Sequence, residues 1–114
     1  MAESALPEIH RKFDKAVNMT AVELEAWLET DESKMVGWKG RNGRAVESVG
    51  RRSGRRILEI LDTPRPELSP DDFAHMRKVI GFIARHTAQG PARDKTTSRW
   101  RYSLMNWGHD PLKG

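Results

Sequence analysis

The sequence predicts an all-α fold: one compact domain over residues 1–114, built of five or six short helices around a tryptophan-rich core. Three observations carry that prediction. Apolar residues recur three and four apart from Ile9 to Trp107, residues that open and close helices punctuate the chain, and no segment alternates apolar and polar with period two. With 37% hydrophobic and 32% charged residues, the chain has material for one small core under a heavily solvated surface.

Pro7 at a first-turn position, then Ile9, Phe13 and Ala16 or Val17, predict a first helix over about 7–18. Thr20 and Glu23 have the spacing of a capping box, in which the hydroxyl accepts from the third backbone N–H and the carboxylate reaches back. Leu24, Trp27 and Leu28 then give a helix to about Thr30 its apolar face, while Glu23, Glu25 and Glu29 make the other face acidic. Asp31-Glu32-Ser33 restarts the chain, and Met35, Val36 and Trp38 belong to a short helix or turn. Residues 39–45, KGRNGRA, read as a flexible basic loop. A third long helix runs from about Val46 to Asp62 and stops at Thr63-Pro64-Arg65-Pro66, because proline cannot donate to the intrahelical ladder. Ser69-Pro70-Asp71-Asp72 supplies a cap, a first-turn proline and two acids at a positive helix end, and Phe73, Met76, Ile80, Ile83 and Ala84 line one side to about Thr87. Residues 89–98, QGPARDKTTS, have linker composition, and Trp100, Leu104 and Trp107 mark a final helix that ends before Gly108. Trp27, Trp38, Trp100 and Trp107, against one Tyr and three Phe, suggest that tryptophan fills much of the core.

Several function classes are excluded on these grounds. The chain has no cysteine, so disulfides, thiol catalysis and Cys-based zinc sites are ruled out, in keeping with a reducing compartment. No apolar run approaches the ~20 residues of a membrane span, and MAESALPEIHRKFDK lacks the apolar stretch of a secretory signal, so a cytoplasmic protein without membrane contact is expected. His75 and His86 are eleven residues apart on one helix, ~16 Å along its axis, and cannot share a metal. Asp71, Asp72 and His75 are explained as first-turn acids and a helix-edge histidine. GRNGRAVES lacks the lysine and preceding strand of a phosphate-binding loop, and no Ser-His-acid arrangement can be named. We expect no enzymatic activity, cofactor or metal.

Charge is the informative feature. The net charge of +4 conceals a segment, residues 34–56, that carries eight Arg/Lys against the single Glu47, whereas residues 1–33 carry eight acids against three Arg/Lys. Such a local block is a footprint for phosphate. Within it, VGRRSGRRI places four arginines in six positions. Wound at ~100° per residue, the helix puts Val46, Ser53, Ile57, Ile60 and Leu61 on one face with Gly50 and Gly54 beside them, and Arg51, Arg52, Arg55 and Arg56 on the other. As a small-xxx-small pair the glycines would admit another helix or the Trp38 ring; alternatively the helix begins only near Ser53 and the glycines lie in a turn. Arginines four apart repel. Their anions can come from solvent alone, from the acidic 20–30 helix of the same chain or a second copy in a homo-oligomer, or from nucleic-acid phosphate. Phosphate is favoured, with Arg51, Arg52, Arg55 and Arg56 as the main face and Lys39, Arg41 and Arg44 as a flexible arm on DNA. Arg99 and Arg101, interleaved with Trp100 and Tyr102, add phosphate contact or stacking.

The segments ESVGRRSGRRILEIL, DDFAHMRKVIGFIARH and above all RWRYSLMNWGHDP resemble the family catalogued as domain of unknown function 3140, over roughly residues 8–113. Members of that family are small, mainly bacterial proteins often labelled DNA-binding. The resemblance supports the phosphate reading in general terms and assigns a role to no individual residue. Asn106 and Asp110 in this stretch read equally well as caps after Trp107.

Overall fold

A computed structural model describes residues 6–37, 39, 43, 47–90 and 95–113. Among the described residues six α-helices follow one another: α1 (Leu6–Ala16), α2 (Ala21–Leu28), α3 (Asp31–Met35), α4 (Val49–Leu61), α5 (Pro70–Gln89) and α6 (Arg99–Asn106). A 3-10 turn over Arg65–Glu67 follows the Thr63-Pro64 stop, and no strand occurs among the described residues. The all-α fold is as the sequence predicts.

Local chemistry sets most of the boundaries. Both reciprocal bonds of the Thr20–Glu23 capping box form, as do those of Ser69 with Asp72. Thr30, Ser48 and Ser98 cap α3, α4 and α6 by accepting from the backbone N–H three residues on. Helix α4 therefore starts at Val49 rather than Val46, and both Gly50 and Gly54 lie inside it. Their purpose is packing. A Cβ on Gly54 would sit 2.6 Å from the carbonyl oxygen of Asn106 and 3.0 Å from a Leu28 methyl, and one on Gly50 would sit 3.1 Å from Nε1 of Trp107. The helices admitted so closely are α2 and α6. Trp38, the other candidate, lies outside the described residues.

Helix α1 lies along α5, α2 along α4, and α6 touches α2, α3, α4 and α5, which makes it the hub of the bundle. The core is aliphatic with one phenylalanine: Phe13, Val17, Leu24, Leu28, Ile57, Ile60, Met76, Val79, Ile83 and Leu104 are buried. Among the described residues, tryptophan does not fill the core as expected. Trp27, Trp100 and Trp107 are half-buried and pack against the core from its rim. Two of them are held there by polar needs of the indole: Trp27 Nε1 donates to Asn106 Oδ1 at 2.7 Å, and Trp100 Nε1 to the His86 carbonyl at 2.7 Å.

Candidate nucleic-acid interface

The four arginines of α4 divide into three environments. Arg51 is only 7% exposed, which corrects the helical projection that turned it toward solvent. Its Nη1 pairs with Glu47 at 2.8 Å, its Nη2 donates to the Leu28 carbonyl at 2.6 Å, and its Nε donates to Ser33 Oγ at 3.3 Å. Ser33 Oγ in turn donates to Asn106 Oδ1 at 2.5 Å, and Asn106 Nδ2 returns a bond to the Ser33 carbonyl at 3.1 Å. A projection treats α4 as lone; in the bundle, α2 and α3 close over this side of it and bring acceptors to the guanidinium. Arg51 therefore joins α4 to α2 and α3, with little of its side chain left facing solvent.

Arg55 shares Glu47, at 2.7 Å, but half of its side chain remains exposed. The Glu47 carboxyl is held below its usual range, first by the Arg55 hydrogen bond and then by the charges of Arg55, Arg51 and Arg52, against the opposing effect of burial. One carboxylate thus serves two guanidinium groups and leaves a positive charge over. Arg56 pairs with Asp72 of α5 at 2.7 Å, while Glu59 stands off at 4.0 Å. Arg52 is exposed, and among the described residues no acid lies within ion-pair distance of it. The acids that ion-pair with α4 are thus Glu47, Asp72 and, at longer range, Glu59; of the acidic face of α2, Glu29 acts on Arg55 by charge alone and Glu23 pairs with Lys113.

Next to Arg56, Ser53 Oγ and His75 Nε2 meet at 3.0 Å. Burial, followed by the charge of Arg56, pushes the imidazole pKa below its usual value, and the charge of Lys78 acts in the same sense. No residue spacing marks this pair, because its members are 22 residues apart on different helices. Ser53 is 4% exposed, so the bond fastens α4 to α5.

Of the other expected contacts, Arg41 and Arg44 lie outside the described residues, and Lys39 is half-buried just after Gly37. Arg99 is exposed and donates to the Met35 carbonyl at 3.0 Å. Arg101 grips Asp110 with two bonds, of 3.1 and 3.0 Å, and donates to the Thr96 carbonyl. Asp110 also exchanges two bonds with Asn18, His109 Nδ1 meets the Ala16 carbonyl at 2.7 Å, and the Gly108 carbonyl accepts from Met19. RWRYSLMNWGHDP is thus a clasp. It ties the C-terminal segment to the α1–α2 connection, and Asn106 and Asp110 are its buried and half-buried anchors rather than helix caps.

The residue spacing left one further feature unmarked, a cleft of about 280 Å³ lined by Gly37, Val49, Gly50, Phe82, His86, Ser103, Asn106 and Trp107. Near-parallel rings run along it: Phe82 stacks on Trp107 at 4.3 Å and on His86 at 4.9 Å, and Trp107 faces His75 at 6.3 Å. The only sequence signal was Phe82, an aromatic residue standing off the apolar stripe of its own helix. Exposed cations lie on the same helices. Arg52 is one turn from Val49 on α4, and on α5 Lys78 and Arg85 lie one turn to either side of Phe82.

Among the described residues, no three His, Asp or Glu side chains are grouped to hold a metal ion, and no helix is long and apolar enough to cross a membrane. The family described as "Protein of unknown function (DUF3140)" matches residues 12–105. No curated protein and no solved structure matches the chain.

Proposed function

We propose that this chain, which belongs to the DUF3140 family, is a small non-catalytic protein that holds DNA through its phosphates with low sequence preference, in the cytoplasm and on the nucleoid. One observation carries the reading: the positive charge that the fold leaves uncompensated. Arg52 on α4, and Lys78 and Arg85 on α5, are exposed with no acid in ion-pair range among the described residues. Arg52 lies one turn from Arg56, and Arg56 and Lys78 both act electrostatically on His75, so positive charge gathers where α4 meets α5. Arg55, which meets Glu47, and Arg56, which meets Asp72 and more distantly Glu59, each keep a terminal guanidinium nitrogen beyond these pairs, although Arg56 Nε is buried, and a guanidinium so placed can still donate to a phosphate oxygen. The phosphate set is thus Arg52, Arg55, Arg56, Lys78 and Arg85, to which the basic segment with Lys39, Arg41 and Arg44 adds charge, Arg41 and Arg44 lying outside the described residues.

Salt titration of binding to a labelled duplex tests this. Log affinity should fall linearly with log salt, and the variant Arg52→Gln/Lys78→Gln/Arg85→Gln should bind more weakly with a slope shallower by about 0.9 for each phosphate contact removed. Absence of duplex binding at low salt would overturn the reading, and an unchanged slope in the triple variant would overturn the site.

A further inference from the structure

We propose that the outward face of α2 binds the outward face of α5 on a second copy of this chain, in a head-to-tail contact. The inference goes beyond the duplex reading and does not depend on it.

Helix α2 is apolar on two sides. Leu24 and Leu28 enter the core, whereas Val22, Glu25, Ala26 and Glu29, at helical spacing on the other side, are all exposed. Val22 is 77% exposed, the most of any large hydrophobic residue among those described. An apolar centre with carboxylates around it has the layout of a protein–protein contact. Next to Ala26 the surface is concave, with a groove of about 380 Å³ whose lining includes Met19, Glu23, Trp27 and Met105. Asp31 and Glu32, exposed in the first turn of α3, carry the negative charge past the end of α2. Among the described residues no cation lies in ion-pair range of Glu25, Glu29, Asp31 or Glu32, and Glu29 acts on Arg55 by charge alone.

The matching charge is on the same chain. Ala74, Lys78, Gly81 and Arg85 share one face of α5, and Ala74, Lys78 and Arg85 are exposed. Within the chain, α4 and α6 each touch both α2 and α5, and no ion pair joins α2 to α5 among the described residues. Charge also selects the geometry. Two α2 faces brought together would oppose carboxylate to carboxylate, and two α5 faces cation to cation, so the complementary contact is the one between unlike faces. Gly81 leaves a low point between Lys78 and Arg85, since a Cβ there would meet only the end of the Arg85 side chain. With Arg85 turned toward Glu25 or Glu29, Val22 can seat over Gly81, and the aliphatic stems of the two cations cover the rest of the apolar strip. Each added copy leaves one face of each kind open, so the assembly grows as a chain. Lys78 and Arg85 also belong to the phosphate set, so a duplex and a second copy exclude one another there.

Sedimentation velocity of the intact protein over a concentration series tests this. In ~0.1 M salt the mean mass should rise with concentration, and in ~1 M salt, where the screening length falls from ~10 to ~3 Å, association should weaken tenfold or more. Glu25→Gln/Glu29→Gln and Lys78→Gln/Arg85→Gln, all at exposed positions, should each lose association to a similar extent. Mixed in equal amounts, the two variants should form a heterodimer and nothing longer, because between them they keep one acidic and one basic face. Val22→Asp, which adds negative charge but removes the apolar centre, should weaken association about tenfold, the worth of one buried valine. A native protein that stays monomeric at every concentration and salt would overturn the inference, a result that needs no variant. So would variants that associate as the native protein does, or a mixture of the two neutralised variants that stays monomeric. None of these results touches duplex binding, which is measured separately; self-association without duplex binding would overturn the phosphate reading and leave this contact standing.

Discussion

Arg51 donates through Nη2 to the backbone carbonyl of Leu28 at 2.6 Å, across 23 residues of sequence. Leu28 is the last residue of α2, so its carbonyl has no partner within that helix and would otherwise be a buried orphan. A charged side chain from the arginine-rich helix thus completes the C-terminal end of another helix, where a cation is also favoured by the helix dipole. The neighbouring Arg52 has no such duty.

The two adjacent arginines should therefore separate stability from binding. Arg51→Met removes one partner of a mostly buried ion pair and leaves the Leu28 carbonyl unpaired, at a cost of about 3 kcal/mol. For a domain of this size that lowers the melting temperature by about 12 °C, at ~4 °C per kcal/mol. Arg52→Gln should move the melting temperature by no more than about 2 °C, because an exposed side chain without a partner contributes little, yet it should weaken duplex binding. Thermal melting and duplex titration of both variants check this; equal melting temperatures would refute the assigned role of Arg51.

Legibility from sequence followed the range of the interaction. Helix starts depend on bonds three residues long, and the Thr20–Glu23 box and the Ser69 cap form at the expected positions. The glycines of α4 were legible as small packing positions, but not what they pack against, since the Asn106 carbonyl is 52 residues further on. Arg51 was misplaced for the same reason: periodicity ranks the faces of one helix, and α4 is covered on two sides by α2 and α6, leaving less outward arc than the projection allows. Tryptophan frequency suggested core volume, whereas each indole N–H needs an acceptor, and those of Trp27 and Trp100 find theirs at the rim. The ring ladder of the candidate cleft joins α5 to α6, and no spacing within a single segment encodes it.

Two helical glycines should respond in opposite directions to the same substitution. Gly54→Ala brings a methyl to 2.6 Å from a backbone carbonyl of α6, which can move only with the hub helix, so a loss of 2 kcal/mol or more is expected, about the cost of overpacking a core. At Gly81 the nearest atom is the end of the flexible Arg85 side chain, at 3.0 Å, and that chain can swing away. Gly81→Ala should therefore stabilise α5 by about 0.5–1 kcal/mol through helix propensity. Urea unfolding of both variants gives the signs; a neutral Gly54→Ala would mean that α4 and α6 are not in contact as described.

Asn106 should be among the least replaceable polar residues. It is 1% exposed and has three committed bonds, to Trp27 Nε1, Ser33 Oγ and the Ser33 carbonyl. Asn106→Leu keeps the branched shape, with somewhat larger volume, but strands the indole N–H and the serine groups, for a loss of about 3 kcal/mol. The emission of Trp27 should shift in the folded variant as its indole bond is lost. An unshifted spectrum with native stability would show that the network does not act as a unit.

Acid should destabilise the protein in two stages. The folded-state pKa of His75 is depressed, by burial first and then by the positive charge of Arg56, with the Ser53 bond opposing, Lys78 adding to the depression and Asp72 opposing it. The unfolded chain therefore binds this proton more readily than the folded one. Stability from His75 is fully present above its unfolded value of ~6.5 and is lost as the pH falls from there through the folded value. Burial acts on His86 in the same direction. Glu47, Asp72 and Asp110 are also depressed: Glu47 foremost by its hydrogen bond to Arg55, Asp72 foremost by the Ser69 backbone N–H, and Asp110 by Arg101 and the Leu112 N–H, which together outweigh the larger single effect of its burial. Their contribution is present above ~4 and is lost only as the pH falls through their lower folded values. Melting temperature against pH should thus be level above ~7, decline first below ~6.5, and decline again below ~4. His75→Gln, which can still hydrogen-bond Ser53 but does not titrate, should reduce the first decline and leave the second intact. A first decline of unchanged size would remove His75 from the account.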